Sequence, residues 1–421
     1  MNLLKFIFLV ISVVHFSQCA VVEEYKTYKD YKLFQVTSLD GVKDLIKEFM
    51  EFDDALVYSG NKTSAGILVK PDLVSIFEEL VTMRGLNMEL LVEDYSKIIE
   101  MEKREILRND GFSWHAYHDV ADIHDYLRNM SREYPNMTEL IIGGQSYEGR
   151  QILGLRINSP SLHKKGKPVF FIESGIHARE WIAPATTTYF INELLTSSDP
   201  HIIAMRDQLD WHIFPSVNPD GYQYSRKFDR MWRKTRSKSA NGCRGADPNR
   251  NWDYNWMKSG ASSDPCDYQT YAGKEPFSEI ETRSLSEYIR TLENLRAYVG
   301  FHSDVQMLLL PYSDSTEHMD NYDDLVTIGK TSLDYGYKVN REKYNGPATA
   351  AEILYMVSGG SMDWVRNTLA TPLVYTYELR GKNFHWPPSR IPEQGDEVTQ
   401  MMLGLVTEAN NMGYFKTKVS K

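Results

Sequence analysis

From about Gly111 onward, short apolar runs alternate with stretches of helical period. PVFFIE (168–173), WHIFPS (211–216), AYVGFH (297–302) and TPLVYTYE (371–378) have the length and the β-branched and aromatic content of strands. Between them, helical patterns run near Ala183 to Leu195, Ser278 to Leu295, Asp320 to Tyr335 and Pro392 to Asn411. An earlier helix places Val120, Ile123, Leu127 and Met130 on one face and stops at Pro135, and ELIIGG and ILGLRIN flank the turn-rich SYEGR as a hairpin. The alternation predicts an α/β fold, a mixed β-sheet with helices on both faces.

Upstream, residues 31–108 read as a separate acid-rich module. Strand-like runs at Leu33 to Val36, Leu56 to Tyr58, Gly66 to Val69 and Met88 to Val92 are interleaved with helices in the order strand, helix, strand, strand, helix, strand. That is a ferredoxin-like α+β pattern. Its clearest helix follows Pro71, with Leu73, Ile76, Phe77 and Leu80 as the apolar stripe. A charged helical connector, MEKREILRND, then carries Lys103, Arg104 and Arg108; it reads either as a protease-sensitive link or as an ordinary solvated helix. The first twenty residues place one Lys before an apolar run that ends in small residues, the pattern of a cleavable secretory signal. The expected domains are therefore 1–20, 21–108 and 109–421.

Composition narrows the partners. The 421-residue chain has a formal net charge of −10 and no basic stripe, which argues against a nucleic-acid partner. No stretch beyond the signal is apolar enough to cross a membrane. Removing the signal leaves Cys243 and Cys266, an even pair suited to an oxidising compartment and predicted to form one disulfide. Sequons at Asn61, Asn129 and Asn136 are compatible with secretion.

Chemistry gathers at the strand ends. FFIESGIHAREWIAP delivers His177 and, three residues later, Glu180, a spacing at which an imidazole and a carboxylate can share a cation. AYVGF ends at His302 and LVYTY at Glu378, and ligands in open α/β sheets collect at the carboxyl ends of strands. Taken singly, His302 reads more readily as a satisfied core histidine, and Glu378 as a strand-terminal carboxylate paired with Arg380. DPNRNW sets Asn249 beside Arg250, an amide and a guanidinium suited to holding a carboxylate. RMWRKTR supplies Arg230 and Arg233, and the paired glycines of SGGSMDW, close after Tyr355, imply a tight loop.

Taken together, GIHAREW, RMWRKTR, DPNRNW, the His302-Ser303 pair, YMVSGGSMDW and YELR resemble the secreted zinc metallocarboxypeptidases of the carboxypeptidase A/B family in proenzyme form. The resemblance extends over essentially the whole chain. It implies one Zn2+ per chain, held by His177, Glu180 and His302, with Glu378 as general base and Arg233 as oxyanion stabiliser. Asn249, Arg250 and Tyr355 would hold the terminal carboxylate of peptide and protein substrates, and Arg179 would bind substrate further up the cleft. Asp247 would orient His177. By the same resemblance, Met362 would fall at the base of the family's pocket for the C-terminal side chain, with Ala350, Val357 and Thr376 around it. An apolar residue there implies an A-type preference for aromatic and aliphatic C-termini.

The N-terminal module resembles the family's prosegment, which covers the cleft until a trypsin-like protease cuts the connector. Arg108 is the expected site, with Lys103 and Arg104 as alternatives. The chain is expected to act as a monomer. Two departures stand out: Asp304 occupies a position where the family usually has Tyr, implying altered preference at the penultimate substrate residue, and the segment GKNFHWPP after Glu378 is short. A non-catalytic zinc-binding homologue acting as an interaction protein is the alternative from another class, and a deacylase at the same zinc is a second.

Overall fold

The computed structural model describes residues 25–38, 42, 56–60, 63–106, 111–160, 162 and 165–416. The signal, Asn61, Arg108 and the first helix expected of the N-terminal module lie outside these residues.

The N-terminal unit is a four-stranded antiparallel sheet of β1 (Lys32–Thr37), β2 (Leu56–Gly60), β3 (Ser64–Val69) and β4 (Asn87–Val92), in the order β2-β3-β1-β4. This is the ferredoxin-like order. A single 3-10 turn with Pro71 at its first position leads into α1 (Val74–Met83), whose Phe77 and Val81 pack on Phe34, Val36, Ile67 and Val69. Alternation along β1 and β3 sends Leu33 and Leu68 to the opposite face. There they join Tyr28, Tyr95 and Ile99 in a cluster completed by Met231 and Phe384 of the large domain.

Polar contacts reinforce this docking. Tyr28 donates to Asp229 Oδ1 at 2.6 Å, and Glu102, on α2 (Ser96–Ile106), accepts from Arg230 Nε and Nη2 at 2.7 and 3.0 Å. Arg230, from the basic RMWRKTR motif that also carries Arg233, is fully buried against this connector helix. Its charge and that of His385 overcome the effect of burial and hold the Glu102 carboxyl down at about 2. The pair therefore contributes fully above the ordinary glutamate range and is lost as pH falls toward 2.

The large domain is an eight-stranded mixed sheet. Its strands are β5 (Thr138–Gln145), β6 (Gln151–Ile157), β7 (Val169–Ser174), β8 (Asp210–Phe214), β9 (Leu295–Ser303), β10 (Met307–Leu310), β11 (Asn345–Thr349) and β12 (Leu373–Leu379), ordered β11-β10-β12-β9-β7-β8-β6-β5. The central strands β8, β7, β9 and β12 run parallel, so their carboxyl ends share one edge. Every residue of β7 is buried, and its side chains alternate between two cores. Phe170 and Ile172 enter a core with α4 (residues 182–196, after α3 at 120–133) and the C-terminal helix, whereas Phe171 faces the opposite side.

The remaining helices are α5 (Pro200–Gln208), α6 (Pro219–Lys227), α7 (Ile280–Arg290), α8 (Tyr322–Asn340), α9 (Ala350–Ile353), α10 (Ser361–Leu369) and α11 (Ile391–Asn411). α8 and α11 cover one face; α7 and α10 cover the other. The helix expected to reach Leu295 ends at Arg290, because Leu295 opens β9, and the one expected to stop at Tyr335 continues to Asn340. SMDW, read as loop, opens α10 directly after the paired glycines. Among the described residues no helix is long and apolar enough to cross a membrane.

Cys243 and Cys266 are disulfide-bonded, closing the loop that carries Asp247, Asn249 and Arg250. On the chain-entropy argument, replacing both with Ser lowers stability by roughly 3 kcal/mol. A urea titration of the two proteins checks this, and an unchanged midpoint would contradict it.

Candidate active site

The turn after β7 is shaped by Gly175, whose φ of +69 and close approach to Pro184, Pro215 and Ser216 exclude a side chain. The chain then passes through His177 and Glu180 before entering α4, with the Glu180 carbonyl accepting from Ala183 N–H at 3.1 Å. His177 Nδ1 lies 2.7 Å from Glu180 Oε1. His302, near the end of β9, brings its Nδ1 to 3.1 Å from His177 Nδ1 and 3.3 Å from Glu180 Oε2. The three candidate ligand atoms lie within 4.8 Å of one another, all buried.

These residues fit a zinc ion. Two imidazole nitrogens that face each other and the same carboxylate form an acceptor-rich set that a shared cation satisfies, and two N donors with one O donor suit Zn2+. Burial pushes His302 down, toward the neutral imidazole that binds metal. Against the effect of burial, His177 and His302 hold the Glu180 carboxyl low, so it stays ionised. The other ring nitrogen of His177, Nε2, stands 3.3 Å from Asp247 Oδ1, the arrangement that orients a metal-binding histidine.

Asp247 also organises the cationic side of the site. Its Oδ2 accepts from Arg233 Nε and Nη2 at 3.1 and 2.8 Å, and its Oδ1 accepts from Asn249 N–H at 2.8 Å. Burial alone would raise this carboxyl; Arg233, Arg250 and His177 hold it well below the usual range. With Nε and Nη2 of Arg233 committed, Nη1 faces the ligands, 3.9 Å from Glu180 Oε1. Arg250 is fixed by bonds from Nε to the Gly260 carbonyl and from Nη1 to the Asn249 carbonyl, each 2.8 Å. Asn249 Oδ1 accepts from Ser361 N–H at 3.0 Å, which leaves its Nδ2 hydrogens as the donors for a ligand.

The paired glycines lie against Asn249 and Arg250. Gly359, at φ +73, lies so close that a Cβ would stand 2.3 Å from the Arg250 carbonyl oxygen. The tight loop thus approaches the Arg250 backbone. Tyr355 stands 49% exposed before this loop. Met362 is buried in α10, with Thr376 Oγ1 at 3.4 Å from its sulfur; Ala350 is buried in the same apolar cluster, and Val357, just before the paired glycines, donates its N–H to the Ser313 carbonyl at 3.1 Å.

Glu378 pairs in register with His302 across β12 and β9. Burial, then the charges of Glu180 and Asp304, push its carboxyl well up, against Arg233 and Arg250. Arg380, its alternative partner in the sequence, turns away to Glu393 and Glu397 at 2.7 and 3.3 Å. Arg179 is buried with its guanidinium 4.4 Å over the Phe384 ring. Asp304 Oδ2 accepts from Phe384 N–H at 3.3 Å, and burial lifts its carboxyl to about 7 despite nearby Arg179. The short segment after Glu378 is therefore held by both residues. Sequence reasoning missed Glu102 and His385, which meet Arg230 beside this segment, because nothing in a linear pattern joins residues so distant.

Residues 123–401 match the family described as zinc carboxypeptidase. The chain is 45% identical over 310 residues to a zinc carboxypeptidase of Simulium vittatum, covering 72% of this chain and 99% of that protein. It is 35% identical to zinc carboxypeptidase A 1 of Anopheles gambiae, covering 94% and 93%. Among solved structures, carboxypeptidase A from Helicoverpa armigera superposes with a TM-score of 0.83 at 29% identity, covering 92% and 100%.

Asp247→Asn removes the acceptor charge behind His177 and is expected to weaken zinc binding by about 10–100-fold. Competition against a chromogenic chelator measures this; unchanged affinity would contradict the orienting role.

Proposed function

The chain belongs to the zinc carboxypeptidase family and is a metallocarboxypeptidase, and from that premise we propose its finer function. It is a secreted exopeptidase, made as a zymogen, that removes C-terminal residues from peptides and proteins and prefers aromatic or aliphatic side chains. The observation that carries this reading is the meeting of His177, Glu180 and His302 beside Glu378 and the Asn249-Arg250 clamp.

His177, Glu180 and His302 hold one zinc. When bound, the metal supplies Lewis acidity and lowers the pKa of water to about 7. Glu378 takes the proton of the attacking water and returns it to the leaving amine; a carboxyl with a raised pKa is suited to both transfers. Arg233 offers Nη1 to the developing oxyanion, since Asp247 occupies its other donors. Asn249, Arg250 and Tyr355 bind the terminal carboxylate. An internal peptide bond would set a neutral amide against Arg250 and lose the charge-assisted bond, which restricts cleavage to the C-terminus. Met362 makes the side-chain pocket apolar. Arg179 and Asp304 act on the substrate residues upstream.

The ferredoxin-like unit is the prosegment. Its docking surface meets Phe384 and Met231, and Glu102 accepts from Arg230, which sets the unit against the segment after Glu378, on the upstream side of the site. Release follows trypsin-like cleavage near Arg108. Oligomerisation plays no part in this scheme, and the enzyme acts as a monomer.

Two outcomes are expected. After trypsin treatment, blocked dipeptides ending in Phe or Leu are hydrolysed with higher kcat/KM than those ending in Lys or Glu, and a chelator abolishes the activity. A best rate with Lys, or activity indifferent to chelator, would overturn the reading. In the uncleaved chain, Glu102→Ala removes the carboxylate that accepts from Arg230 Nε and Nη2 across the docking surface, so basal activity rises severalfold over the unmodified zymogen; an unchanged basal rate would refute the docking role.

A further inference from the structure

One buried carboxylate near the site takes part in none of these steps. Glu173, on β7, is fully buried, and its Oε2 has no hydrogen-bond partner. Strand register fixes where it lies. Glu173 pairs with Gly300 on β9, and Gly300 pairs with Thr376 on β12; one step toward the carboxyl edge on the same face, His302 pairs with Glu378. Residues paired across strands share a face, and that face repeats every second residue. Glu173, Gly300 and Thr376 therefore form the row directly beneath His302 and Glu378.

Gly300 makes room for the acid within this row. A Cβ there would stand 3.1 Å from Glu173 Oε1 and 3.7 Å from Thr376 Oγ1, and Thr376 Oγ1 is 3.4 Å from Met362 Sδ. Polar contacts lead to the same place. Tyr298 donates to Glu173 Oε1 at 3.0 Å and is itself hydrogen-bonded with the Ser361 side chain; Ser361 N–H donates to Asn249 Oδ1. Glu173 is thus linked through Tyr298 and Ser361 to the carboxylate clamp, and lies across Gly300 from the residues at the pocket base. Burial lifts its carboxyl to about 8, with Tyr298 opposing, so it is mostly neutral at pH 7 and compatible with an apolar pocket.

We propose that Glu173 is the polar end of the pocket for the substrate's C-terminal side chain, selecting, within the aromatic class, the ring that carries a hydroxyl: tyrosine over phenylalanine. A phenol reaching the base of the pocket supplies the partner that Oε2 lacks, whereas a phenyl ring leaves that oxygen buried and unpaired. This inference rests on the apolar-pocket reading of Met362.

The test compares kcat/KM for blocked dipeptides ending in Tyr, Phe, Leu and Lys, identical at the penultimate residue, on the trypsin-activated enzyme. The unmodified protein is expected to favour Tyr over Phe by about tenfold. Each variant's ratio is taken against its own rate with Phe. Glu173→Leu brings the ratio near one, and Glu173→Gln, which keeps a polar end of the same size, retains most of it. Should the Leu variant fail to fold, Glu173→Asp withdraws the carboxyl by one methylene and lowers the ratio in the same direction. Phe and Leu preferred over Lys with a Tyr-to-Phe ratio near one, or with a ratio indifferent to Glu173→Leu, would overturn this inference alone. A best rate with Lys would overturn the apolar pocket and the inference with it.

Discussion

The site depends on Asp247. This fully buried carboxylate faces His177 Nε2, binds two nitrogens of Arg233 and accepts the Asn249 N–H, so one side chain fixes the proposed metal ligand, the proposed oxyanion cation and the start of the proposed carboxylate clamp. A buried anion is costly unless surrounded by such partners, and each partner here is one that chemistry at the site requires. Burial removes competition from water, which makes the arrangement rigid as well as strong.

The sheet supplies the rest of the constraint. Because β7, β9 and β12 run parallel in adjacent register, their carboxyl ends place His177 with Glu180, His302 and Glu378 along one edge. Neighbouring rows on that face then acquire successive tasks. The outermost carries His302 and Glu378, the proposed metal ligand and general base; the row beneath carries Glu173, Gly300 and Thr376, where the proposed side-chain pocket would end. Both faces of these strands are packed, and that two-sided burial leaves little freedom for the rows to slip relative to one another.

Much of this was legible in the sequence. The four long apolar runs became the central strands, and the motifs at their ends marked the His177, Glu180 and His302 side chains that meet, because strand periodicity and strand-end chemistry are both local. β11, NGPAT, was hidden by its Gly and Pro, and α10 by the glycines before it, so tertiary pairing overrode local preference there. The Glu102-Arg230 pair spans 128 positions and left no linear trace. Glu173 did leave a signal: an acid at the end of PVFFIE, a run otherwise suited to complete burial, calls for a partner or a purpose. Asp304 was recognisable as a departure, but its bond to the Phe384 backbone depends on how the shortened segment folds back.

The central claim is that His177, Glu180 and His302 converge to hold one zinc ion, with Asp247 fixing the geometry from behind. Anomalous diffraction at the zinc absorption edge, on crystals of the protein purified without added metal, tests this most directly. The account predicts a single strong peak per chain, within bonding distance of His177 Nδ1, a Glu180 oxygen and His302 Nδ1. A peak ligated by other residues, or zinc-loaded protein with no peak between these three, would contradict it.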